Sequence, residues 1–257
     1  MTGADRDHAL LLIHPLGADL HFWDDFVAAI DGRMTTLAVD LRGAGGSPGS
    51  GRPVSLAEHV ADIEAVRAEL HTTTVSVISC AIGSMCAASY AALHSDRTRS
   101  LVMANPTPRT LPQARDMLTA RAELVRQGGM AAILPGAVEK AFLNLPHDAR
   151  YDFYMKRFSQ QDPEAYALAL LAAAEADASD ALPRVRCPTL LVPGRHDVLL
   201  PMANAEAVQA LLPSARLSVM EDAAHFVPYQ QPQRLAELVL DFVGRPSAAS
   251  HASEHYA

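Results

Sequence analysis

An alanine, Ala81, stands where residue types and spacing ask for a nucleophile. The segment Val75-Ser-Val-Ile-Ser-Cys-Ala81-Ile-Gly-Ser-Met85 reads as a buried strand, a sharp turn and a helix of small residues. That is the setting of a G-x-S-x-G nucleophile elbow. Gly83 takes the second glycine slot, so Ala81 falls on the serine and Ser79 on the first glycine. Downstream, Gly194-Arg-His-Asp197 offers a carboxylate and Ala223-Ala-His225 an imidazole. An imidazole held in one tautomer by a carboxylate is a general base that takes a nucleophile's proton and later activates water. The chemistry spelled out is acyl transfer with the attacking oxygen missing.

Such a site needs two N–H donors where negative charge develops on oxygen. Ile82 follows the nucleophile slot at a helix N-terminus, whose dipole favours an anion. The second donor falls in the loop after the first strand, where Pro15 has no N–H and Leu16 is the first residue able to donate. Both side chains are equally consistent with plain core. Cys80 lies one position before the turn and is expected to face away from the site as a buried small residue. Trp23 either lines the pocket or packs between loop and core. Arg109 follows Asn105-Pro-Thr-Pro and, like Arg121, Arg126, Lys156 and Arg157, is placed to hold a substrate carboxylate or to sit on a solvated face.

The elements that must position these groups follow from patterning. Ala9–Ile13 is a short continuous apolar run, the mark of a strand buried on both faces of a parallel sheet. Strands are expected at 34–39, 75–78, 100–103, 188–192 and 215–220, with a glycine-rich turn over Asp40–Ser47. Ser55 reads as the N-cap of a helix to about Leu70, with Leu56, Val60, Ile63, Val66 and Leu70 on one face. The alternation predicts an α/β fold with a doubly wound, mostly parallel sheet. It breaks between about Thr110 and Asp180, where the pattern is helical throughout, so an inserted helical cap is expected there. The expected organisation is a core of 1–109 and 181–245, a cap of 110–180 and a flexible tail of 246–257. The main pocket is expected between the cap and Ala81, touching Leu16 and Ile82.

Composition excludes several classes. At 257 residues the chain fits one large α/β domain. A formal net charge of −8 argues against nucleic acid as partner. No apolar stretch reaches the roughly 20 residues of a membrane span, and no secretory leader pattern opens the chain. Cys80, Cys86 and Cys187 lack metal-ligand spacing, so no metal and no cofactor is implied, and a reducing cytoplasm is the expected location. The partner is a small molecule, and homo-oligomer formation is left open.

Five motifs in order carry a family resemblance. His14-Pro-Leu-Gly-Ala-Asp-Leu-His-Phe-Trp23-Asp, Asp40-Leu-Arg-Gly-Ala-Gly-Gly-Ser47, Arg121-Ala-Glu-Leu-Val-Arg-Gln-Gly-Gly-Met130, Pro188-Thr-Leu-Leu-Val-Pro-Gly-Arg-His-Asp197 and Ala224-His225-Phe-Val-Pro-Tyr-Gln-Gln-Pro232 resemble segments of the α/β-hydrolases. Within these, the chain is similar to the 3-oxoadipate enol-lactonases. The resemblance implies a triad on Ala81 (nucleophile slot), Asp197 and His225, an oxyanion hole at Leu16 and Ile82, and an ester or lactone substrate. There are departures. The antiparallel hairpin before the first strand is absent or curtailed, Ser79 replaces a glycine, and Ala141 stands where such lactonases often carry a tryptophan, which reshapes the pocket. Three functions follow. The first is a carboxylic-ester or lactone hydrolase in a Ser→Ala form. The second is a non-hydrolytic enzyme (lyase, isomerase, decarboxylase or cofactor-free oxygenase) that uses only His225 and Asp197. The third is a non-catalytic ligand binder.

Overall fold

The computed structural model describes residues 1–3, 7–143 and 145–244. β1 (His8–Ile13) leads through a 3-10 turn at Leu20–Trp23 into α1 (Asp24–Ile30), then β2 (Thr35–Val39), α2 (Leu56–Glu69), β3 (Thr74–Cys80), α3 (Gly83–Leu93) and β4 (Thr98–Ala104). Between β4 and β5 come α4 (Pro112–Gly128), α5 (Gly136–Glu139), α6 (Ala149–Ser159) and α7 (Pro163–Ala174). The chain closes with β5 (Thr189–Val192), α8 (Met202–Leu211), β6 (Arg216–Leu217), α9 (Val227–Gln230) and α10 (Pro232–Val243). The expected tail of 246–257 lies outside the described residues.

The strands form one sheet in the order β2-β1-β3-β4-β5-β6, every neighbouring pair parallel. Successive residues point to opposite faces, and both faces are dry. Leu10, Leu12, Ile78 and Val102 pack with Phe26 of α1 and Leu235 of α10. Leu11, Val77, Leu101 and Met103 pack with Ile63 of α2 and Val208 of α8. That double burial is why the strands read as unbroken apolar runs. The pairing expected to be curtailed before β1 is one antiparallel bridge, Thr2 to Thr36, among the described residues.

β1 and β3 are neighbours, but the chain leaves them toward opposite edges of the sheet. Open α/β sheets bind ligands in the crevice at such a switch point, and the loops after β1 and β3 carry His14–Leu16 and Ala81–Ile82. Helix α2 is capped as expected, with Ser55 and Glu58 forming a reciprocal capping box. Its buried face differs from the expected one. Val60, Ile63 and Arg67 are buried, while Val66 is 40% exposed. Arg67 can sit there because its guanidinium is consumed by Glu64 and the Thr72 carbonyl. No described helix is long and apolar enough to cross a membrane.

Candidate functional site

Ala81 ends the strand–turn–helix unit with φ +50°, a left-handed conformation that only glycine adopts without strain. Its N–H donates to the Ala104 carbonyl (2.9 Å), and its own carbonyl accepts from Ser84 N (2.9 Å), so both ends of the turn are pinned. Gly83 is needed for close approach, since a Cβ there would lie 2.6 Å from the His14 carbonyl oxygen. The strain is therefore imposed by the surrounding backbone. Alanine bears a cost of about 1–2 kcal/mol for it with no hydroxyl to aim.

His225 and Asp197 meet. The imidazole Nδ1 lies 3.0 and 3.1 Å from the two carboxylate oxygens. Asp197 is fully buried at its side chain and His225 is 12% exposed. Asp197 Oδ1 also accepts the N–H groups of Leu199 (2.8 Å) and Leu200 (2.9 Å). Burial works to raise the Asp197 carboxyl, but His225 and these N–H donors outweigh it and hold the group below the usual carboxylate range. The acid is thus ionised and fixed, and Nδ1–H is the tautomer it selects.

A residue without a role in the sequence reading completes this pair. Asn105, fully buried at the end of β4, donates from Nδ2 to Asp197 Oδ2 (2.9 Å) and to the Ala224 carbonyl (2.8 Å), and its Oδ1 accepts Val227 N–H (3.2 Å). Two acceptors on one side and a donor on the other fix the orientation of the amide. Asn105 has φ +46°, although a residue before proline favours extended backbone. An asparagine at a strand end next to Pro106 was the available signal, because asparagine tolerates the left-handed region.

Cys80 corrects an expectation. Its thiol points toward the site side, donating to the His225 carbonyl (3.7 Å) and facing Asn105 Oδ1 (3.9 Å). Alternation along β3 places Cys80 on the same face as Ile78, beneath the histidine loop. Burial pushes its ionisation well above the ordinary thiol range, so it packs and does not attack.

Leu16 and Ile82 have backbone N–H groups with no acceptor among the described residues. The loop carrying Leu16 is held from several sides. His14 is fully buried; its Nε2 accepts Leu41 N–H (3.0 Å), which leaves Nδ1–H to donate to the Pro15 carbonyl (2.8 Å). Burial lowers its basicity, so it stays neutral. The Gly17 carbonyl accepts Gln161 Nε2 (2.6 Å) and Tyr154 OH (3.2 Å), and Arg157 pairs with Asp19. The Asp40 carboxylate accepts Leu20 N–H (2.7 Å) and Gly46 N–H (2.8 Å).

The other expected residues lie as follows. Trp23 is fully buried, edge-on to Phe22 and Phe26, and is not among the residues lining the main cavity. Ala141 is buried, and its carbonyl accepts His225 N–H (3.3 Å) and Gln230 Nε2 (2.9 Å). Arg109 is exposed and pairs through its backbone with Asp177. The main cavity touches Leu16 and Ile82 but not Ala81 or His225. It runs toward the glycine-rich loop after β2, while Phe226 packs against the His225 ring and Phe22, Phe142 and Tyr154 pack on Phe226. Among the described residues no cluster of three or more His, Cys, Asp or Glu side chains is arranged to hold a metal ion.

The family model of the alpha/beta hydrolase fold matches residues 8–232. A pimeloyl-[acyl-carrier protein] methyl ester esterase of Neisseria meningitidis serogroup C / serotype 2a is 32% identical, over 93% of this chain and 94% of that protein. A 3-oxoadipate enol-lactonase 2 of Acinetobacter baylyi is 26% identical, over 90% of this chain and 86% of that protein. The crystal structure of a hydrolase from Pseudomonas aeruginosa PA01 superposes with a TM-score of 0.86 at 24% identity, covering 95% of this chain and 92% of that one. The enol-lactonase from Burkholderia xenovorans LB400 does so with a TM-score of 0.84 at 23% identity, covering 94% and 93%. The family model spans most of the chain, so the chain belongs to the α/β-hydrolase fold family.

Proposed function

We propose that this chain carries the site of a carboxylic-ester or lactone hydrolase from which the nucleophile's oxygen is missing, Ala81 standing in a Ser→Ala form. The observation that carries this reading is the left-handed φ of +50° at Ala81. That strained turn serves to aim a side chain from a strand end, and an alanine has nothing to aim. An enol-lactonase and a methyl ester esterase among the relatives support the substrate class.

With an oxygen at position 81, His225 Nε2 removes its proton as it attacks the ester carbonyl. The Leu16 and Ile82 N–H groups receive the developing oxyanion. Asp197 steadies the imidazolium, which then protonates the departing alcohol, and His225 activates water to release the acid. The helices between β4 and β5 act as a lid over these steps. In the chain as it stands the ester binds and stays intact. The test is Ala81→Ser assayed on activated esters and small lactones. Hydrolysis that appears with the serine and vanishes again in Ala81→Ser/His225→Ala supports the reading.

A second reading has one observation in its favour. Every contact that orients His225 is in place although the oxygen it would serve is gone. The pair alone can abstract a proton from an acidic O–H or C–H, so turnover by the given chain that depends on His225 supports this non-hydrolytic enzyme instead.

A further inference from the structure

The cavity lined by Leu16 and Ile82 is a groove partly open to solvent. One wall is α7, which presents Leu168, Ala169, Ala172 and Ala173; the facing wall includes Val54 and Leu56. Two features define what it can hold.

First, its charged side chains are already paired, and among its polar atoms the buried His59 Nδ1, on a neutral ring, has no hydrogen-bond partner. No Asp or Glu lines it. Arg42 is bound through two nitrogens to Asp62, and Arg52 through two to Glu58. Both His14 nitrogens and Gln161 Nε2 are engaged within the protein. Burial lowers the basicity of His59 and pushes the Cys86 thiol up to about 12, so both are uncharged near neutrality. A ligand's carboxylate finds no unpaired cation here.

Second, the alanines keep the α7 wall low. From Ala165 to Ala173 that helix runs about 12 Å, the reach of roughly eight to ten methylenes. One end of the groove is the oxyanion loop itself, since Leu16, Gly17, Ile82 and Gly83 all line it.

We propose that this groove is the acyl-chain site, taking an unbranched, uncharged hydrocarbon chain whose carbonyl end lies at the Leu16 and Ile82 N–H groups. It rests on the ester-hydrolase reading for the identity of the head group. The substrate class is then a medium-chain carboxylic ester, with the chain between α7 and the segment around Val54 and the alcohol portion on the Ala81 side.

The experiment has two arms. Binding of methyl hexanoate, octanoate and decanoate to the chain as it stands is measured by calorimetry. Burying each methylene tightens Kd about fourfold, so each step of two carbons tightens it about sixteenfold, levelling off beyond about ten carbons. Ala169→Phe on α7 and Val54→Trp on the facing wall each block the groove and weaken octanoate binding at least tenfold. A thermal melt checks that each variant is folded, and the loop variant decides if the helix variant is not.

In the second arm, p-nitrophenyl esters of the same lengths are assayed with Ala81→Ser. A kcat/KM that climbs with length and drops for long chains in Ala81→Ser/Val54→Trp supports the site. Hydrolysis by Ala81→Ser with a flat length profile overturns the groove and leaves the hydrolase reading standing. A steep binding series with an inert Ala81→Ser overturns the hydrolase reading and leaves the groove as a hydrocarbon-chain site. A flat binding series, unchanged by both variants, overturns the proposal outright.

Discussion

Asn105 donates a 2.9 Å hydrogen bond to Asp197, and the same amide nitrogen holds the Ala224 carbonyl beside His225. One side chain at the end of β4 thus staples the loop that carries Asp197 to the loop that carries His225. Neither loop has a long strand to anchor it, since β6 is two residues, Arg216–Leu217.

Replacing this staple is expected to cost both stability and function. Asn105→Leu leaves the buried Val227 N–H and Ala224 carbonyl without their partner, which destabilises by about 3 kcal/mol. In the Ala81→Ser background, the displaced imidazole lowers kcat about 10²-fold. Urea denaturation and steady-state kinetics check the two effects. An Asn105→Leu protein with full stability and full kcat contradicts the staple.

Asn105→Asp probes the electrostatics separately. A second carboxylate within hydrogen-bond distance of Asp197 forces the two acids to share a proton, because both cannot ionise together there. The proton between His225 Nδ1 and Asp197 is expected to shift its low-field NMR resonance, and the lower limb of the pH–rate profile in the Ala81→Ser background to move up. Unmoved resonance and profile tell against the contact.

Gly17 positions the loop that carries Leu16. It has φ +78°, and an added Cβ would lie 2.6 Å from Phe158 Cε2. Gly17→Ala is expected to lose about 1–3 kcal/mol through strain and overpacking, read as a lower thermal midpoint. A midpoint equal to that of the parent chain refutes it.

Much of this was legible in the sequence, for physical reasons. Strands buried on both faces write themselves as apolar runs, so β1, β3 and β5 fall within two residues of their expected limits. The turn after β3 was readable because Gly83 must abut the His14 carbonyl. The residues that escaped act through contacts between distant segments. Asn105 reaches 92 residues along the chain to Asp197 and 119 to Ala224, and no local pattern encodes that distance. Cys80 is expected to face away because it lies one position before the turn, whereas strand alternation puts it on the face of Ile78. Val66 was assigned to the buried face of α2, but it lies one step round the helix from Ile63 and Arg67, and the paired guanidinium took the place.

Acid should weaken the α2–α3 face in a defined window. The Arg67 hydrogen bonds, with help from the Tyr90 hydroxyl, outweigh burial, which acts to raise the group, and hold Glu64 at about 2 against an ordinary 4.5. A depressed carboxyl contributes stability that is present above its unfolded value and is lost as pH falls from about 4.5 through about 2. Glu64→Gln is therefore expected to be about 2 kcal/mol less stable than the parent at pH 7, with the gap closing toward pH 2. A gap that does not depend on pH over this range contradicts the assignment.

The thiols give a chemical check on packing. Cys80 and Cys86 are buried with raised ionisation, while Cys187 is partly exposed. A disulfide reagent at pH 8 is expected to modify Cys187 first and to reach Cys80 only at the rate of unfolding. Rapid native labelling of Cys80 contradicts its placement under the histidine loop.

If position 81 is a nucleophile's seat without its oxygen, intact-mass analysis of rapidly quenched Ala81→Ser with p-nitrophenyl octanoate shows it most directly. A transient mass increase of one octanoyl group, mapped to residue 81, is expected. A matching burst of nitrophenolate is expected with it, and a turnover rate on the order of 10⁶-fold above that of the parent chain. Ala81→Ser that is folded, retains the His225–Asp197 contact, and yet forms neither adduct nor burst with this ester, shorter esters or lactones contradicts that reading of position 81.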